Sequence, residues 1–435
     1  MFSKCSINKV LDVCAPSIHA TYTKLKNFYH WWQNRSLIQK TKEKYGETLS
    51  QVRRKYAAGR PIRVMFLLFE SSKWKCQALY DALEASPDFE PFVALTRMDV
   101  GRDFVSALEE FAPRITQSRE FCVKRGVRFV EAYSLSEAKP LDLAVFHPDI
   151  VFYPSPWNMP QCQMPDKMAC SALTCYIPYY VVCHDAAIVD AQRPLHFLVY
   201  RYFTTNDSWC GFFLSKSHGF PYAGEFVGIG HPMLDCFAKA SKAFSQGDIV
   251  IYAPHCTILG GLKYSTFLEN GDFILEYAKH HPEVQWCFKP HPLLRRNLHK
   301  EAQWPEEKIN AYYDEWEKIG MVCYTGDYPE LFLRSRALIT DCSSFLMEYS
   351  AVNRPLIHLI RKDTLYRPAQ PCERLFDSFY KVHGIDELAK TLKSVIEDFQ
   401  DPHAAAREAA IKDLNLWHVR CADNIVKYLR EILKG

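Results

Sequence analysis

The sequence contains no run of about 18 or more uncharged apolar residues, the length a helix needs to span a bilayer. Its opening, Met1-Phe2-Ser3-Lys4-Cys5, lacks the long apolar core of a secretory signal peptide. There are 16 cysteines but no Cys-x-x-Cys pair, which argues against a zinc ribbon or a thioredoxin-type redox centre. Many cysteines sit inside apolar runs, as Cys287 does in Val284-Gln285-Trp286-Cys287-Phe288, so buried free thiols in a reducing cytoplasm are expected. No helix-turn-helix signal and no glycine-rich or aromatic RNA-binding motif appears, and no nucleic-acid partner is expected.

What is present suits a globular protein of two domains. The 435 residues exceed one ordinary core, and 48% hydrophobic with 24% charged residues is a normal globular balance. Charge is unevenly spread. Residues 1–60 hold 12 Lys and Arg against 3 acidic residues, a net +9; since the whole chain carries +3, residues 61–435 carry −6. A basic head on an acidic body points to an anionic partner near the N-terminus. The stretch Ser36 to Tyr56 reads as helix. Before it, Phe28, Tyr29, Trp31 and Trp32 lie among Lys24, Lys26, Arg35 and Lys40, a mixture that suits a membrane surface with anionic lipid. The same mixture also suits an extra helix packed on the domain.

Gly59-Arg60-Pro61 ends that helix. Apolar runs of strand length then alternate with helical stretches: strands at 62–69, 92–95, 127–130, 149–153 and 179–183, with helices at 75–85 and 103–124. The pattern restarts near 248, with strands at 249–253, 284–288, 321–324, 337–340 and 355–360. Helices are expected at 267–280, 309–319, 343–352 and 385–399. This alternation predicts α/β architecture, two doubly wound Rossmann-like domains (61–240 and 245–420) facing across a cleft, the GT-B arrangement. Residues 1–60 form a helical extension, and a final helix from 421 to the C-terminus crosses back to the first domain.

Ligands of open parallel sheets bind beyond the carboxyl ends of the strands. After the strand at 284–288 comes Lys289-Pro290-His291-Pro292, a stiff turn presenting a Lys and a His suited to phosphate oxygens, with Arg295 close behind. After the strand at 337–340 comes Asp341-Cys342-Ser343-Ser344 opening a helix, which makes a candidate anion site; Asp and Ser are equally ordinary helix caps. Glu348, one turn on, is placed to accept hydrogen bonds from ribose hydroxyls, or is a plain helix Glu. In the first half, the run 179–183 ends in His184-Asp185, a candidate general base with a helper, or a structural His. His231, near the hinge, and Pro254-His255, after the first C-domain strand, are further cleft candidates.

Taken in order, these residues resemble the CDP-glycerol glycerophosphotransferase family, the teichoic-acid primases and polymerases. The resemblance covers roughly 145–365. Lys289-Pro290-His291-Pro292 matches the family's Lys-Pro-His-Pro. Ile339-Thr340-Asp341-Cys342-Ser343-Ser344, followed by Phe345, Glu348, Tyr349 and Arg354-Pro355, matches Ile-Thr-Asp-Tyr-Ser-Ser and its helix. Gly230-His231-Pro232-Met233-Leu234-Asp235 is similar to Gly-x-Pro-Arg-x-Asp. Departures are visible: the family's His-Gly is His184-Asp185 here, its Pro-Thr-Trp-Arg is Pro254-His255-Cys256-Thr257, and its Tyr before the serines is Cys342.

The resemblance implies transfer of a glycerol-phosphate-type group from a CDP-activated donor to a hydroxyl of a cell-surface or capsule polymer, polymer or lipid-linked, with release of CMP. His184 and Asp185 would be catalytic. Lys289, His291, Ser343 and Ser344 would hold the donor phosphates; Glu348, Asp341, Pro254 and His255 the nucleotide and ribose; His231 and Arg295 the acceptor side. No cofactor and no metal is expected, and the expected location is the cytoplasm, peripheral on the inner face of the membrane. Rival readings are a GT-B glycosyltransferase using a nucleotide sugar, a sugar epimerase, and a non-catalytic scaffold of the same fold.

Overall fold

The computed structural model describes residues 16–98, 104–134, 139–185, 193–217, 221–238, 247–259, 263–324, 328–364, 367–416 and 420–435. Its side chains are described from residue 34 in the first helix and from residue 112 in the helix 104–125. The aromatic cluster at 28–32 and its neighbours Lys24 and Lys26 therefore lie outside the described side chains.

Two parallel sheets organise the chain. The first uses β1 (Ile62–Leu68), β2 (Phe89–Leu95), β3 (Phe129–Glu131), β4 (Ile150–Tyr153), β5 (Leu173–Tyr176), β6 (Arg201–Thr204) and β7 (Glu225–Gly228), in the order 3-2-1-4-5-6-7. The second uses β8 (Ile249–Ala253), β9 (Gln285–Phe288), β10 (Met321–Val322), β11 (Ser335–Thr340), β12 (Leu356–Leu359) and β13 (Tyr380–Val382), in the order 10-9-8-11-12-13. All these pairings are parallel. In both sheets the order reverses beside the first strand, which opens a crevice at the carboxyl ends of β1 and β4 and of β8 and β11. The strands are near-continuous apolar runs because helices cover both faces; β1, β2, β8 and β11 are almost wholly buried.

One expected strand is not a strand. Residues 179–183 leave the sheet after β5 and run through the junction of the two units, where Tyr180, Val181, Val182 and Cys183 are all buried. Their apolar character comes from that burial rather than from sheet pairing. The backbone instead pairs across the junction: Asp185 N–H donates to Arg367 O at 3.0 Å, and Ala369 N–H to Cys183 O at 3.0 Å.

The basic N-terminal segment is one long helix, α1 (Pro16–Ala57). Ile38, Thr41, Tyr45, Thr48 and Val52 recur every three or four residues and are buried, so the C-terminal half of α1 is part of the first unit. Tyr45 donates to the Leu198 carbonyl at 2.8 Å and accepts from the Thr174 hydroxyl. Thr48 donates to the Ala169 carbonyl at 2.6 Å. The last helix, α2 (Cys421–Lys434), buries Ile425, Val426, Leu429 and Leu433 against the first unit, packing on α1 and on the helix Gln77–Glu84. Arg53 of α1 donates to the Ile432 carbonyl at 2.8 Å, and Arg430 to Asp88 at 2.7 Å. Among the described residues the cysteines are free and most are buried.

Because Tyr45 joins α1 to the sheet through both its ring and its hydroxyl, Tyr45→Ala should cost about 3–5 kcal/mol of unfolding free energy, the range for emptying a buried aromatic site. Urea denaturation followed by far-UV circular dichroism checks this; a loss under about 1 kcal/mol would show that α1 is dispensable to the unit.

Candidate functional site

The two crevices open into one cleft of about 2200 Å³. Three adjacent strands deliver its C-terminal wall. β8 ends in Pro254-His255, β9 in Lys289-Pro290-His291, and β11 in Asp341-Cys342-Ser343-Ser344, which opens the helix α3 (Ser343–Ser350, lying before α2 in the chain). Backbone bonds lock the turns side by side: Lys289 N–H donates to Tyr252 O at 2.8 Å and His291 N–H to Pro254 O at 3.0 Å. Pro254, His255, Lys289, His291, Ser344 and Glu348 all line the cleft.

Burial sets the protonation of this wall. Lys289 is 5% exposed, and desolvation holds its ammonium below its ordinary pKa. Burial, with His291 adding repulsion, takes His255 down to about 3. Burial takes His291 down to about 4, Lys289 and Lys73 adding to the shift and Glu70 opposing it. The two rings lie 4.9 Å apart. Each turns Nδ1 to its own backbone: Thr257 N–H donates to His255 Nδ1 at 3.2 Å, and Leu293 N–H to His291 Nδ1 at 3.1 Å. A neutral imidazole whose Nδ1 accepts carries its proton on Nε2, so these rings are N–H donors without charge.

That tautomer bears on metal binding. His255, Cys256 and His291 place three ligand atoms within 4.8 Å of one another, among the described residues the one such group. A metal-bound histidine ordinarily donates its second ring N–H to an oxygen; the second nitrogen of His291 instead accepts a backbone amide. The arrangement fits an anion better than a cation.

Several expected residues stand elsewhere. Asp341 is 1% exposed and holds the His255 amide and the Thr266 amide and hydroxyl. Burial pushes it up to about 6 against those hydrogen bonds, and it braces the β8 turn rather than meeting a ribose. His231 is buried, with Nε2 2.7 Å from the Pro178 carbonyl and Nδ1 accepting the Met233 amide, so it is structural rather than cleft-lining. Gly230 before it adopts φ +106°, a turn that favours glycine, and Asp235 accepts from the Cys421 and Ala422 amides at 2.8 Å. The Gly230–Asp235 motif thus anchors α2. Arg295 is exposed, 5.2 Å from the Tyr313 ring centroid, and does not line the cleft.

His184 and Asp185 lie at the junction rather than on the cleft wall. His184 is 5% exposed, with Nε2 3.2 Å from Tyr264 Oη, and Asp185 accepts the Arg367 amide. Tyr264 in turn lies against His255, their centroids 5.2 Å apart. Ser343, also off the wall, accepts the Cys183 thiol through its carbonyl at 3.3 Å. Glu348 lines the cleft but is fully buried and takes a hydrogen bond from Tyr328; desolvation raises its pKa. The sequence reading passed over Lys75 and Tyr328, which also line the cleft. A lone Lys before a helix and a Tyr in a loop carry no motif.

Residues 233–413 match the family model for CDP-Glycerol:Poly(glycerophosphate) glycerophosphotransferase. Among curated proteins none matches the chain. Solved structures share its fold. A UDP-GlcNAc 2-epimerase from Neisseria meningitidis bound to UDP-GlcNAc is 14% identical, covering 85% of this chain and 100% of that one, with a TM-score of 0.51. The S. aureus MnaA–UDP structure is 13% identical over 86% of this chain and 97% of that one, TM-score 0.51. The wall teichoic acid polymerase TagF is 12% identical over 95% of this chain and 98% of that one, TM-score 0.50. The resemblance carried by the motifs is borne out over the second unit, and the GT-B fold over the whole. Over residues 233–413 the chain is similar to the glycerophosphotransferases that this model describes.

The neutral histidines generate a prediction. Unfolded imidazoles take up protons near 6.5, while the folded rings refuse them down to about 4 and about 3. A depressed folded pKa contributes stability that is present above 6.5 and lost as the pH falls towards those values, so stability should drop across that window. A ¹⁵N ring titration should show both rings neutral through the same window, with the His291 proton on Nε2. A ring titrating near 6.5 would contradict the geometry.

Proposed function

We propose that the cleft binds a CDP-linked polyol phosphate and passes its distal phosphoryl group to a hydroxyl of a polymer or lipid-linked acceptor. The acceptor's O–H bond breaks as its oxygen bonds to the distal phosphorus, the bridging P–O bond breaks, CMP leaves with that bond's electrons, and the hydroxyl proton ends on the departing CMP phosphate or on solvent. The observation that carries this is the convergence of Lys289, His255, His291 and Ser344 from three adjacent strand ends on one wall. One ammonium, two uncharged N–H donors and a hydroxyl suit a diphosphate whose charge grows on the leaving oxygen. Such preorganised donors supply most of the catalysis in phosphoryl transfer. Glu348, which lines this region and whose Oε1 has no partner among the described residues, is the group we assign to the ribose. In this reading His184 holds Tyr264, and through it the His255 ring, rather than taking the acceptor's proton. No metal enters the reaction.

Incubating the protein with CDP-glycerol and a crude membrane acceptor tests the assignment. CMP release with phosphorus entering the polymer is expected, and His291→Ala should lower it at least about 10²-fold, the scale of losing one oxyanion donor. A nucleotide diphosphate released from a nucleotide sugar, with no phosphorus incorporated, would instead establish a glycosyltransferase.

We also infer that α1 meets an anionic membrane surface ahead of its packed half, which would bring the cleft to a lipid-linked acceptor. No described helix is long and apolar enough to cross a membrane. Because residues from Ile38 on are packed, the informative truncation removes 1–33. In liposome flotation the full chain should rise with vesicles containing phosphatidylglycerol and the truncated chain should not. Equal behaviour of the two would rule the contact out.

A further inference from the structure

The carboxyl end of β1 brings an acid into the cleft from the first unit. The order of the first sheet reverses beside β1, so the first polar residue after it stands where open parallel sheets hold ligands. That residue is Glu70, which lines the cleft with its side chain 26% exposed. Its backbone is extended and leads into the short turn Ser71–Lys73, yet its carboxylate does not cap that turn. Two other contacts hold it. Ser72 Oγ donates to Oε1 at 2.8 Å, and Arg114, from the helix Phe104–Arg125, donates to Oε2 at 3.4 Å.

Glu70 lies close enough to the donor wall to act on it. Burial is the chief cause of the low His291 pKa; Glu70 is the acid whose charge opposes that shift, while Lys73 adds to it. Both act from the first unit on a ring of the second. Two other acids of the cleft are committed elsewhere: Asp235 accepts the Cys421 and Ala422 amides, and Glu348 lies within the donor wall. With His184 held against Tyr264 at the junction, the proton of an attacking hydroxyl needs another carrier. A carboxylate within hydrogen-bond reach both orients such a hydroxyl and receives its proton.

We propose that Glu70 is a catalytic residue, the general base for the acceptor's hydroxyl. The hydroxyl donates to a Glu70 oxygen, and its O–H bond breaks as its oxygen bonds to the distal phosphorus at the donor wall. The bridging P–O bond breaks, its electrons leave on CMP, and Glu70 passes the proton to solvent. This rests on the reading given above in one respect, that a hydroxyl attacks a donor bound at that wall; the donor's head group is immaterial to it.

Transfer from CDP-glycerol to the crude membrane acceptor, measured beside calorimetric titration with CDP, tests it. Glu70→Gln keeps the side chain's shape and an acceptor for Ser72, at a position exposed enough to tolerate the change. Its kcat should fall at least about 100-fold, the lower scale of general-base catalysis, with the CDP dissociation constant within about threefold of wild type. Added formate should restore part of the kcat of Glu70→Ala. Near wild-type kcat in Glu70→Gln would overturn the proposal and leave the donor site standing. So would loss of CDP binding along with activity, or a deficit in Glu70→Ala that formate leaves untouched, since either marks a brace rather than a base. Wild-type transfer from a nucleotide sugar instead of CDP-glycerol would overturn only the donor assignment, and the same variants then decide Glu70 on that transfer. A wild-type protein that transfers from neither donor would overturn both.

Discussion

Burial of charge where the carboxyl ends of two parallel sheets meet is the constraint on which this cleft depends. Parallel strands covered by helices on both faces end in turns that are themselves largely dry. A cation or imidazole placed there loses hydration, and its protonation follows. Lys289 is held below its ordinary range, Glu348 above its own, and His255 and His291 are neutral. These are one effect of position rather than four separate adjustments. The result is a wall rich in N–H donors, with less cationic charge than its residue types suggest. Such a wall suits an anion, because preorganised donors need not reorganise when charge moves.

Backbone geometry maintains that state. His255 and His291 turn Nδ1 to amides two residues ahead, which favours the tautomer with the proton on Nε2. Asp341, a residue that looked like a ligand group, is spent on the same task from below, gripping the His255 amide and Thr266. A motif can therefore mix groups that meet the ligand with groups that shape the turn presenting them. Asp341-Cys342-Ser343-Ser344 does so within four residues: Ser344 lines the cleft, while Asp341 is 1% exposed beneath it.

The second unit was the more legible in the sequence, for a physical reason. β8, β9 and β11 are buried on both faces and read as apolar runs, and the polar residues after each run mark where the backbone leaves the sheet. The same rule misled at 179–183, because a segment buried between two units is as apolar as one buried in a sheet. β5, β6, β7 and β13 were missed, because polar residues (Thr174, Arg201 and Thr204, Glu225, Lys381) break up their short apolar runs. The stripe Ile38, Thr41, Tyr45, Thr48 and Val52 was hidden among charged residues, since two of its five members are threonines whose hydroxyls bond backbone carbonyls. His184 was legible as a strand-end histidine only under the mistaken strand. Lys75 and Tyr328 had no signal at all, because their contact exists only when two walls from distant parts of the chain face each other.

That last point bears on how this chain departs from the family it resembles. The family's Trp-Arg after the first strand of the second unit is Cys256-Thr257 here, and an arginine is thereby missing from that wall. A C-terminal wall with fewer cations binds a diphosphate less well on its own. In this chain a cation reaches the cleft from the other wall, through Lys75. The residues at the strand end and the lysine from the first unit thus line one cleft and together set its charge.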